Sequence, residues 1–532
     1  MKTSRSLITL ASTILLLAAT ANTQAQLTVL HTFAGPPSDG SLPAFGSLAQ
    51  NGSTLYGMTE SGGASDSGMV FRVNTDGSGF TTLHSFGSLR YDGSDPIGSL
   101  LLDGSTLYGM TYQGGSNSVG TVFKINTDGS GYAILHSFAG GASDGGGPVG
   151  SLISADSTLY GMTSYGGSHD FGTIFQISTN GTGYSVLHSF VGGADDGAIP
   201  EGDLALFNSV LYGLTEWAGT SGSGVVFRVH TDGNYFEVIH SFVGGEGDGL
   251  QPYGSLTTDG FTLYGTTGWG GSSNNGTVFS ILPDGSGFSL LHSFAGHPND
   301  GSAPFGNVTM VGSNLYGMSY LGGRSDYGTV FRANLDGSGY TNLYSFVGFP
   351  TEGANPLSSF TLVNSNLYAM TQHGGAHDAG VIFSFTPSGS VIAKQLQAML
   401  NLNPAKTNAD TCRLTAIIRA ESGFSLSNQT VLVNVGDAQA SFTLNAKGCS
   451  ATKTNACKLT YAKKTQLWTL TASIQKGSWA AAWGEYGVTN ATTPKAGTRI
   501  TLPVRVTIGN ETFATEKSLL YKATVNKSGT LR

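Results

Sequence analysis

Bulky ring side chains recur at one place in this 532-residue sequence, just before a repeated Gly-Gly pair. They are Tyr112, Tyr165, Trp217, Trp269, Tyr320 and His373. Aromatic faces beside polar loops suit sugar rings and peptide side chains, through stacking and CH contacts. We therefore take these six residues as the candidate ligand-binding set. The alternative is that they only cover the ends of structural units.

Carboxylates offer a second chemistry. Glu60, Glu201 and Glu216 are loop carboxylates, and paired carboxylates can act as general acid and base on a glycan. A polysaccharide-active hydrolase or lyase is therefore the rival to a binding protein. The sequence contains no His-Glu-x-x-His motif and no Gly-x-x-x-x-Gly-Lys motif, so neither zincin nor P-loop chemistry is indicated. No catalytic residue is assigned.

Two further sets recur in every copy of a repeat, which is typical of architecture rather than of a single active site. A histidine lies at one position in six copies, with Tyr344 in the seventh: His31, His84, His136, His188, His240 and His292. An acidic residue followed by glycine forms the second set: Asp39, Asp92, Asp144, Asp196, Asp248, Asp300 and Glu352. Asp-Gly is first a turn signature, in which the carboxylate bonds its own backbone. The alternative is a face that attracts Ca²⁺, the one cofactor left open.

One loop has the composition of a metal site. His373, His377 and Asp378 lie close together in the last copy of the repeat. A spacing of four residues on a loop does not fix the geometry of ligands as it would on a helix. No metal site is predicted.

The sequence repeats every 52 residues, and this period predicts the fold. Leu-Tyr-Gly begins at Leu55, Leu107, Leu159, Leu211, Leu263 and Leu315, and Leu367 begins a Leu-Tyr-Ala copy. A unit of this length, rich in β-forming residues and glycine turns, is typical of one four-stranded propeller blade. The fourth-strand motif occurs first at Val29–Phe33, before any first strand. We therefore predict an all-β fold with a seven-bladed propeller over residues 27–394, whose N-terminal strand closes the last blade.

Strand direction sorts the loops of such a propeller into two faces. The tight Asp-Gly turns fall on one face, and the long connections after strands two and four fall on the other. Long loops on a rigid scaffold commonly carry binding sites. We therefore expect a carbohydrate or protein ligand on the long-loop face.

The order Leu-Tyr, Gly-Gly and Val-Phe resembles a kelch repeat, and Gly114-Gly115 is its clearest sign. A closer similarity is to the Gloeobacter/Verrucomicrobia-type tandem repeat of secreted bacterial proteins, over about Leu27 to Lys394. That resemblance implies export and no established enzyme activity.

A second domain follows the repeats. Glycine becomes rare and lysine appears after a linker over residues 395–409, and residues 410–532 contain strand-like segments that suggest an immunoglobulin-like β-sandwich. The three cysteines all lie here. Cys449 and Cys457 flank a short polar stretch and are the candidate disulfide, although three pairings are possible and one thiol is left over.

Charge divides the chain in the same way. Gln26–Lys394 carries seven Lys and Arg against 27 Asp and Glu, a net charge of −20, whereas Gln395–Arg532 carries 16 against six, a net charge of +10. The acidic propeller argues against nucleic acid as a partner. The basic domain could dock on acidic cell-surface polymer or on the propeller itself.

Residues 1–26 resemble a secretory signal peptide, with Lys2 and Arg5 before an apolar run that is too short for a membrane span. We therefore expect an exported protein without a transmembrane segment, extracellular or at the cell surface, with the periplasm also possible. The leading interpretation is a non-enzymatic binding or surface protein. A purely structural extracellular component is a third possibility.

Overall fold

Each 52-residue repeat folds into one antiparallel four-stranded sheet, and seven such sheets form the blades of a propeller. The structure is a computed structural model that describes residues 26–387, except Ala44 and Ser365, and ten strands between residues 392 and 531. These described residues form strands, turns and loops, and no helix occurs among them. The predicted all-β propeller with seven blades is therefore confirmed.

The strands of a blade are numbered here from one at the axis to four at the rim. Strand one is Ala49–Asn51, Leu101–Asp103, Gly145–Ala155, Gly197–Phe207, Thr257–Thr258, Thr309–Val311 and Thr361–Val363. Strand two is Thr54–Thr59, Thr106–Thr111, Thr158–Gly166, Val210–Ala218, Leu263–Thr267, Asn314–Ser319 and Asn366–Thr371. Strand three is Met69–Asn74, Thr121–Asn126, Thr173–Ser178, Val225–His230, Thr277–Ile281, Thr329–Asn334 and Val381–Thr386. Strand four is Thr81–Ser85, Ala133–Ser137, Ser185–Ser189, Glu237–Ser241, Ser289–Ser293, Thr341–Ser345 and, in the seventh blade, Gln26–Thr32.

A short two-stranded ribbon extends each blade on the long-loop side. In five blades it is a separate pair of strands: Gly40–Ser41 with Ser61–Gly62, Gly93–Ser94 with Gln113–Gly114, Gly249–Leu250 with Trp269–Gly270, Gly301–Ser302 with Leu321–Gly322, and Gly353–Ala354 with His373–Gly374. In the third and fourth blades the ribbon is continuous with strands one and two.

The first strand of the chain closes the ring. Gln26–Thr32 pairs antiparallel with Val381–Thr386, and Val29 lies opposite Phe383. The seventh blade therefore takes three strands from the end of the repeat region and one from its beginning. This pairing confirms the predicted closure, because it gives the seventh blade its fourth strand and covers the outer edge of Val381–Thr386.

The phenylalanine of strand three packs each blade against the one before it. In the second blade Phe123 is fully buried, in one cluster with Tyr56 and Met58 of the first blade. Gly109, the glycine of Leu-Tyr-Gly, lies opposite Phe123 in the sheet, and a Cβ there would lie 2.5 Å from the ring. The motif recurs because this glycine makes room for the aromatic ring.

The innermost strands meet through their backbones around the axis. A Cβ added to Gly98 would lie only 2.0 Å from the carbonyl oxygen of Gly150 in the next blade. The residue after each axial glycine continues the contact: the amide of Ser47 donates to Ser99 Oγ at 2.8 Å, and the amide of Ser99 donates to Ser151 Oγ at 2.7 Å. These contacts pack the innermost strands closely around the central channel of the ring.

The repeated histidine and the repeated acidic residue form one pair in each of six blades, with Nε2 to carboxylate distances of 2.9 to 3.2 Å. His136 bonds Asp144 and stacks at 3.8 Å on Tyr184 of the next blade. Asp144 also accepts hydrogen bonds from the backbone amides of Ala139 and Gly145. Each pair thus links strand four to the following loop and to the neighbouring blade.

The C-terminal strands pair antiparallel in one continuous order. That order is Ala438–Thr443, Thr430–Val435, Thr498–Ile508, Glu511–Lys522, Gly529–Leu531, Ile392–Leu402, Asp410–Arg419, Leu467–Gly477, Asn455–Ala462 and Cys449–Ala451. Strand Ile392–Leu402 covers part of the segment predicted as a linker. In the last hairpin Cys449 lies opposite Lys458 and Cys457 opposite Ser450. The sandwich arrangement and the disulfide both stay predictions.

Two predictions concern the signal peptide and a membrane-spanning segment. Most of the predicted signal peptide, residues 1–25, lies outside the described residues. Within the part of the chain that the structure describes, no helix has the length and apolar character needed to cross a membrane.

Removal of one buried ring beside the closing strand tests the closure. Phe33 is fully buried between the first and seventh blades. Phe33→Ala should lower the free energy of unfolding by about 3–5 kcal/mol, because the cavity cannot collapse fully. Phe349→Ala is the matched control, since this ring is 59% exposed and its loss should change stability by less than about 0.5 kcal/mol. Urea unfolding measures both variants. Equal losses of unfolding free energy in Phe33→Ala and Phe349→Ala would contradict the closure.

Acid should weaken the His–Asp links in a defined direction. Burial raises the pKa of Asp144, but hydrogen bonds from His136 and Tyr184 outweigh it, so this pKa lies below its ordinary value. The ionised carboxylate therefore adds stability above its unfolded pKa, and that stability is lost as the pH falls through the folded pKa. Asp144→Asn should cost about 2 kcal/mol near neutral pH and clearly less in acid, measured by urea unfolding. Asp195→Asn, at an exposed loop position, should change the free energy of unfolding by the same small amount near neutral pH and in acid.

Candidate functional site

A cavity of about 220 Å³ opens where the central channel meets the long-loop face. Its walls come mainly from one position of each repeat, the residue before the axial glycine. Six copies line the cavity, and Leu357 is the seventh copy: Phe45, Ile97, Val149, Glu201, Tyr253 and Phe305. The first three blades supply apolar side chains and the fourth supplies a carboxylate. The cavity therefore has an apolar side and an acidic side.

The local sequence explains why this position faces the channel mouth. Glu201, for example, stands between Pro200 and Gly202. Proline fixes its own φ, and the glycine is held in the backbone contact at the axis. The residue between them is directed into the mouth whatever its type. The repeat frame is constant here while this one position varies, so the residue type is free of the demands of the fold.

The ends of the second strands form the rest of the wall. Tyr112 lies at one such end and lines the cavity. Glu216, at the equivalent position of the fourth blade, accepts a 2.5 Å hydrogen bond from the Tyr253 hydroxyl and a 3.3 Å bond from Gln251 Nε2. The Tyr253 ring meets Phe305 edge-on at 5.0 Å. Blades four to six thus build a single cluster of aromatic and acidic groups.

The carboxylates of this cluster sit in an unfavourable electrostatic environment. Burial, and then the nearby Glu216, raises the pKa of Glu201 to about 8. Its carboxyl group has no hydrogen-bond partner among the described residues. Asp203 also lines the cavity, and burial raises its pKa. Hydrogen bonds from Ser151 and other axial residues lower this pKa, but the effect of burial is larger. Burial and the bond to Glu216 also raise the pKa of Tyr253.

The six sequence-predicted binding residues are not equivalent. Tyr112 lines the cavity. The ring of Tyr165 meets the ring of Tyr112 edge-on, with 6.3 Å between the ring centroids. Trp269 and Tyr320 contact Phe305 from behind, at 6.4 and 5.7 Å. These four therefore form or support the cavity wall.

Trp217 and His373 differ from the other four. Trp217 is 44% exposed and lies opposite Ala198 on its ribbon, and His373 lies opposite Ala354. Neither makes a ring contact to the cavity aromatics in the described part of the chain. Whether any of the six binds a ligand stays a prediction.

The three carboxylates considered for catalysis do not all lie together. Glu201 and Glu216 are close enough for each to affect the other electrostatically. Glu60 is separate, and burial followed by the charge of Asp95 raises its pKa. Only the first two therefore form a pair at the channel mouth.

The polar loops do not assemble a metal centre in the described residues: no group of three or more His, Cys, Asp or Glu is placed to hold a metal ion there. Asp378, from the metal-like segment, accepts a 2.8 Å hydrogen bond from the Gly374 amide and thereby closes its own loop. The Ca²⁺ expectation stays untested.

Sequence reasoning missed Tyr253, Phe305 and Asp203. The signal was a Pro-x-Gly pattern around one variable residue in five copies, as in Pro252-Tyr253-Gly254. The first copy departs from it with Pro43-Ala44-Phe45-Gly46 and the seventh with Ser358 in place of glycine. The residues at this position share no chemical type, so a search for like side chains does not group them.

Replacement of Glu201 by glutamine tests the raised pKa of this half-buried carboxyl group. Because its folded pKa lies above its unfolded value, the folded state binds an extra proton, and stability falls as the pH rises from about 4.5 to 8. Glu201→Gln should be close to wild type in acid and about 2–4 kcal/mol more stable above pH 8. Urea unfolding across this range measures it, with Glu246→Gln as an exposed control. A constant difference at all pH values would contradict the raised pKa.

Solved structures with a similar fold are distant in sequence. A nidogen/laminin complex is 16% identical over 52% of this chain and 89% of that chain, with a TM-score of 0.34. Oligogalacturonate lyase in complex with manganese is 11% identical over 68% and 93%, with a TM-score of 0.45. A putative 6-phosphogluconolactonase from Bacteroides fragilis is 16% identical over 60% and 88%, with a TM-score of 0.39. Likeness at this level gives no information about function.

A comparison with curated proteins found no match. The sequence model described as Gloeobacter/Verrucomicrobia repeat matches residues 17–224 and 208–415, well over half of the chain. The same region holds the seven blades and the channel-mouth cavity. The chain therefore belongs to the Gloeobacter/Verrucomicrobia repeat family.

Proposed function

We propose that this protein is an exported, non-enzymatic binding protein that holds a carbohydrate ligand at the mouth of its central channel. The observation that carries this proposal is the cavity on the long-loop face, whose wall combines aromatic rings with carboxylates. A rigid ring of seven blades fixes these groups in place, which reduces the entropy cost of binding.

The side chains around the cavity match the surface of a sugar ring. Tyr112, Tyr253 and Phe305 offer aromatic faces or edges for CH contacts. Asp203 and Asn307 supply acceptors for hydroxyl groups. A volume of about 220 Å³ is below that of most drug-sized pockets, which favours one sugar residue or a chain end over a long stretch of polymer.

A glycan-active enzyme is the second candidate, and one observation favours it. Glu201 has the raised pKa that suits a general acid, and Glu216 is its neighbour. Glycoside hydrolysis commonly uses such a pair. This candidate requires release of products from a glycan, with loss of turnover in both Glu201→Gln and Glu216→Gln.

Export and surface attachment belong to the same proposal. The signal-like residues 1–26 and the resemblance to the Gloeobacter/Verrucomicrobia-type repeat of secreted proteins support delivery outside the cytoplasm. The basic C-terminal part would then hold the propeller near acidic cell-surface polymer.

A glycan-binding screen on the mature full chain, with and without Ca²⁺, tests the proposal. For any glycan that binds, Tyr253→Ala should weaken affinity at least about tenfold, because it removes a cavity wall and the donor to Glu216. Tyr235→Ala is the matched control, since Tyr235 is 78% exposed and lies in a turn on the opposite face.

Unchanged affinity in Tyr253→Ala would place the ligand elsewhere and contradict the proposal. Product release by the wild type, lost in Glu201→Gln, would favour the enzyme instead.

A further inference from the structure

We propose that the channel-mouth cavity selects a positively charged sugar, with the ammonium group of an amino-sugar residue placed between Glu201 and Glu216. This inference rests on the proposed function, because it names the class of carbohydrate that the same cavity takes.

The balance of charge around the cavity is the first argument. Glu201 and Asp203 line the cavity, and Glu216 adjoins it through Tyr253. No lysine or arginine is among the lining residues. The six basic residues of the described propeller lie elsewhere: Arg72, Arg90, Lys124, Arg228, Arg324 and Arg332. A cationic ligand would supply the missing counter-charge.

The hydrogen bonds of the carboxylate pair are the second argument. Tyr253 and Gln251 both donate to Oε1 of Glu216, so they fix this carboxylate and leave Oε2 without a hydrogen-bond partner in the described residues. Glu201 likewise has no partner there. An ammonium group has three donors and no acceptor, which suits two neighbouring carboxylates with free oxygens.

Protonation of Glu201 is consistent with the absence of a hydrogen-bond partner for its carboxyl group in the described residues. Burial and the charge of Glu216 raise the pKa of Glu201 to about 8, so the group carries a proton at neutral pH. Asp203, Tyr253 and Tyr112 are the other titratable groups that face the same cavity. A bound ammonium group favours the ionised form of Glu201, and that proton passes to solvent on binding.

The aromatic side of the cavity adds selectivity. Tyr112, Tyr253 and Phe305 surround the acidic groups, and aromatic faces attract cations through their negative charge density. Ile97 and Val149 add apolar side chains to the same cavity wall. A hydrated inorganic cation gains little from apolar and aromatic walls, whereas a sugar with one ammonium group gains from both the walls and the carboxylates.

Matched oligosaccharides test the inference on the mature full chain. The probes are a glucosamine tetramer, the corresponding N-acetylglucosamine tetramer and a glucose tetramer, studied by calorimetry near pH 6, where free amines are charged and Glu201 is protonated. The glucosamine tetramer should bind at least about tenfold more tightly than its acetylated form. Calorimetry in two buffers of different ionisation enthalpy should show release of about one proton per bound ligand.

Variants locate the effect. Glu201→Gln should abolish proton release and remove the preference for the amine, and Glu216→Gln should reduce the preference at least about tenfold. Glu246→Gln makes the same charge change at an exposed loop position and should leave both readouts as in the wild type. Thermal unfolding of each variant verifies that it is folded.

The outcomes separate this inference from the proposed function. If neutral or acetylated oligomers bind as well as the amine, and Tyr253→Ala still weakens them, the charge inference is wrong and the carbohydrate proposal stands. If no glycan binds, both fail. If a lysine tetramer binds while the amino sugar does not, the ligand is a cationic peptide and the sugar assignment is overturned.

Discussion

Backbone contact around the propeller axis is the constraint on which the rest of the architecture depends. A Cβ on Gly98 would overlap the Gly150 carbonyl oxygen, so the innermost strands can approach only where side chains are absent or very small. Six of the seven axial positions are glycine, and Ser358 occupies the seventh. Because the blades touch there, the channel stays narrow, and the residue before each glycine is displaced to the mouth. The same contact that closes the ring therefore creates the wall of the candidate site.

Closure of the ring uses a second device, because no covalent bond joins its ends. Gln26–Thr32 is the outer strand of a blade whose other strands lie at the far end of the repeats. The fully buried Phe33 follows this strand and packs in one cluster with Phe71 of the first blade, so the closing strand also joins the seventh and first blades. The His–Asp pairs continue this linkage around the rim. Architectural roles thus occupy the positions that are constant between repeats and leave the mouth positions free.

Much of this could be predicted from the sequence, because a repeat turns one local pattern into seven observations. The period gave the number of blades, and the early motif at Val29–Phe33 gave the closure. The histidine and aspartate sets were also visible, but their pairing was not, since Asp144 lies eight positions after His136, beyond a turn. The C-terminal part has no repeat. Strand-like segments were visible there, and the structure has strands in the same part of the chain, whereas local pattern does not determine how such strands pack together.

The six candidate binding residues show where such prediction ends. Tyr112 and Tyr320 lie one position earlier in the repeat than Tyr165, so neighbouring positions of a strand, which face opposite sides, were grouped together.

The net charge of −20 over Gln26–Lys394 does not by itself make the cavity selective. At physiological ionic strength charges are screened over about 8 Å, so distant carboxylates contribute mainly to the rate at which a cation arrives. Selectivity has to come from groups within the cavity, where water is partly excluded and the interaction is stronger. Glu201 and Glu216 are such groups, and burial together with the charge of Glu216 keeps Glu201 protonated in the empty protein. A ligand that brings positive charge favours ionisation of Glu201 and so gains a second carboxylate, whereas a neutral ligand leaves Glu201 protonated. The acidic propeller and the acidic pair therefore act at different ranges, and only the pair can distinguish an amine from its acetylated form.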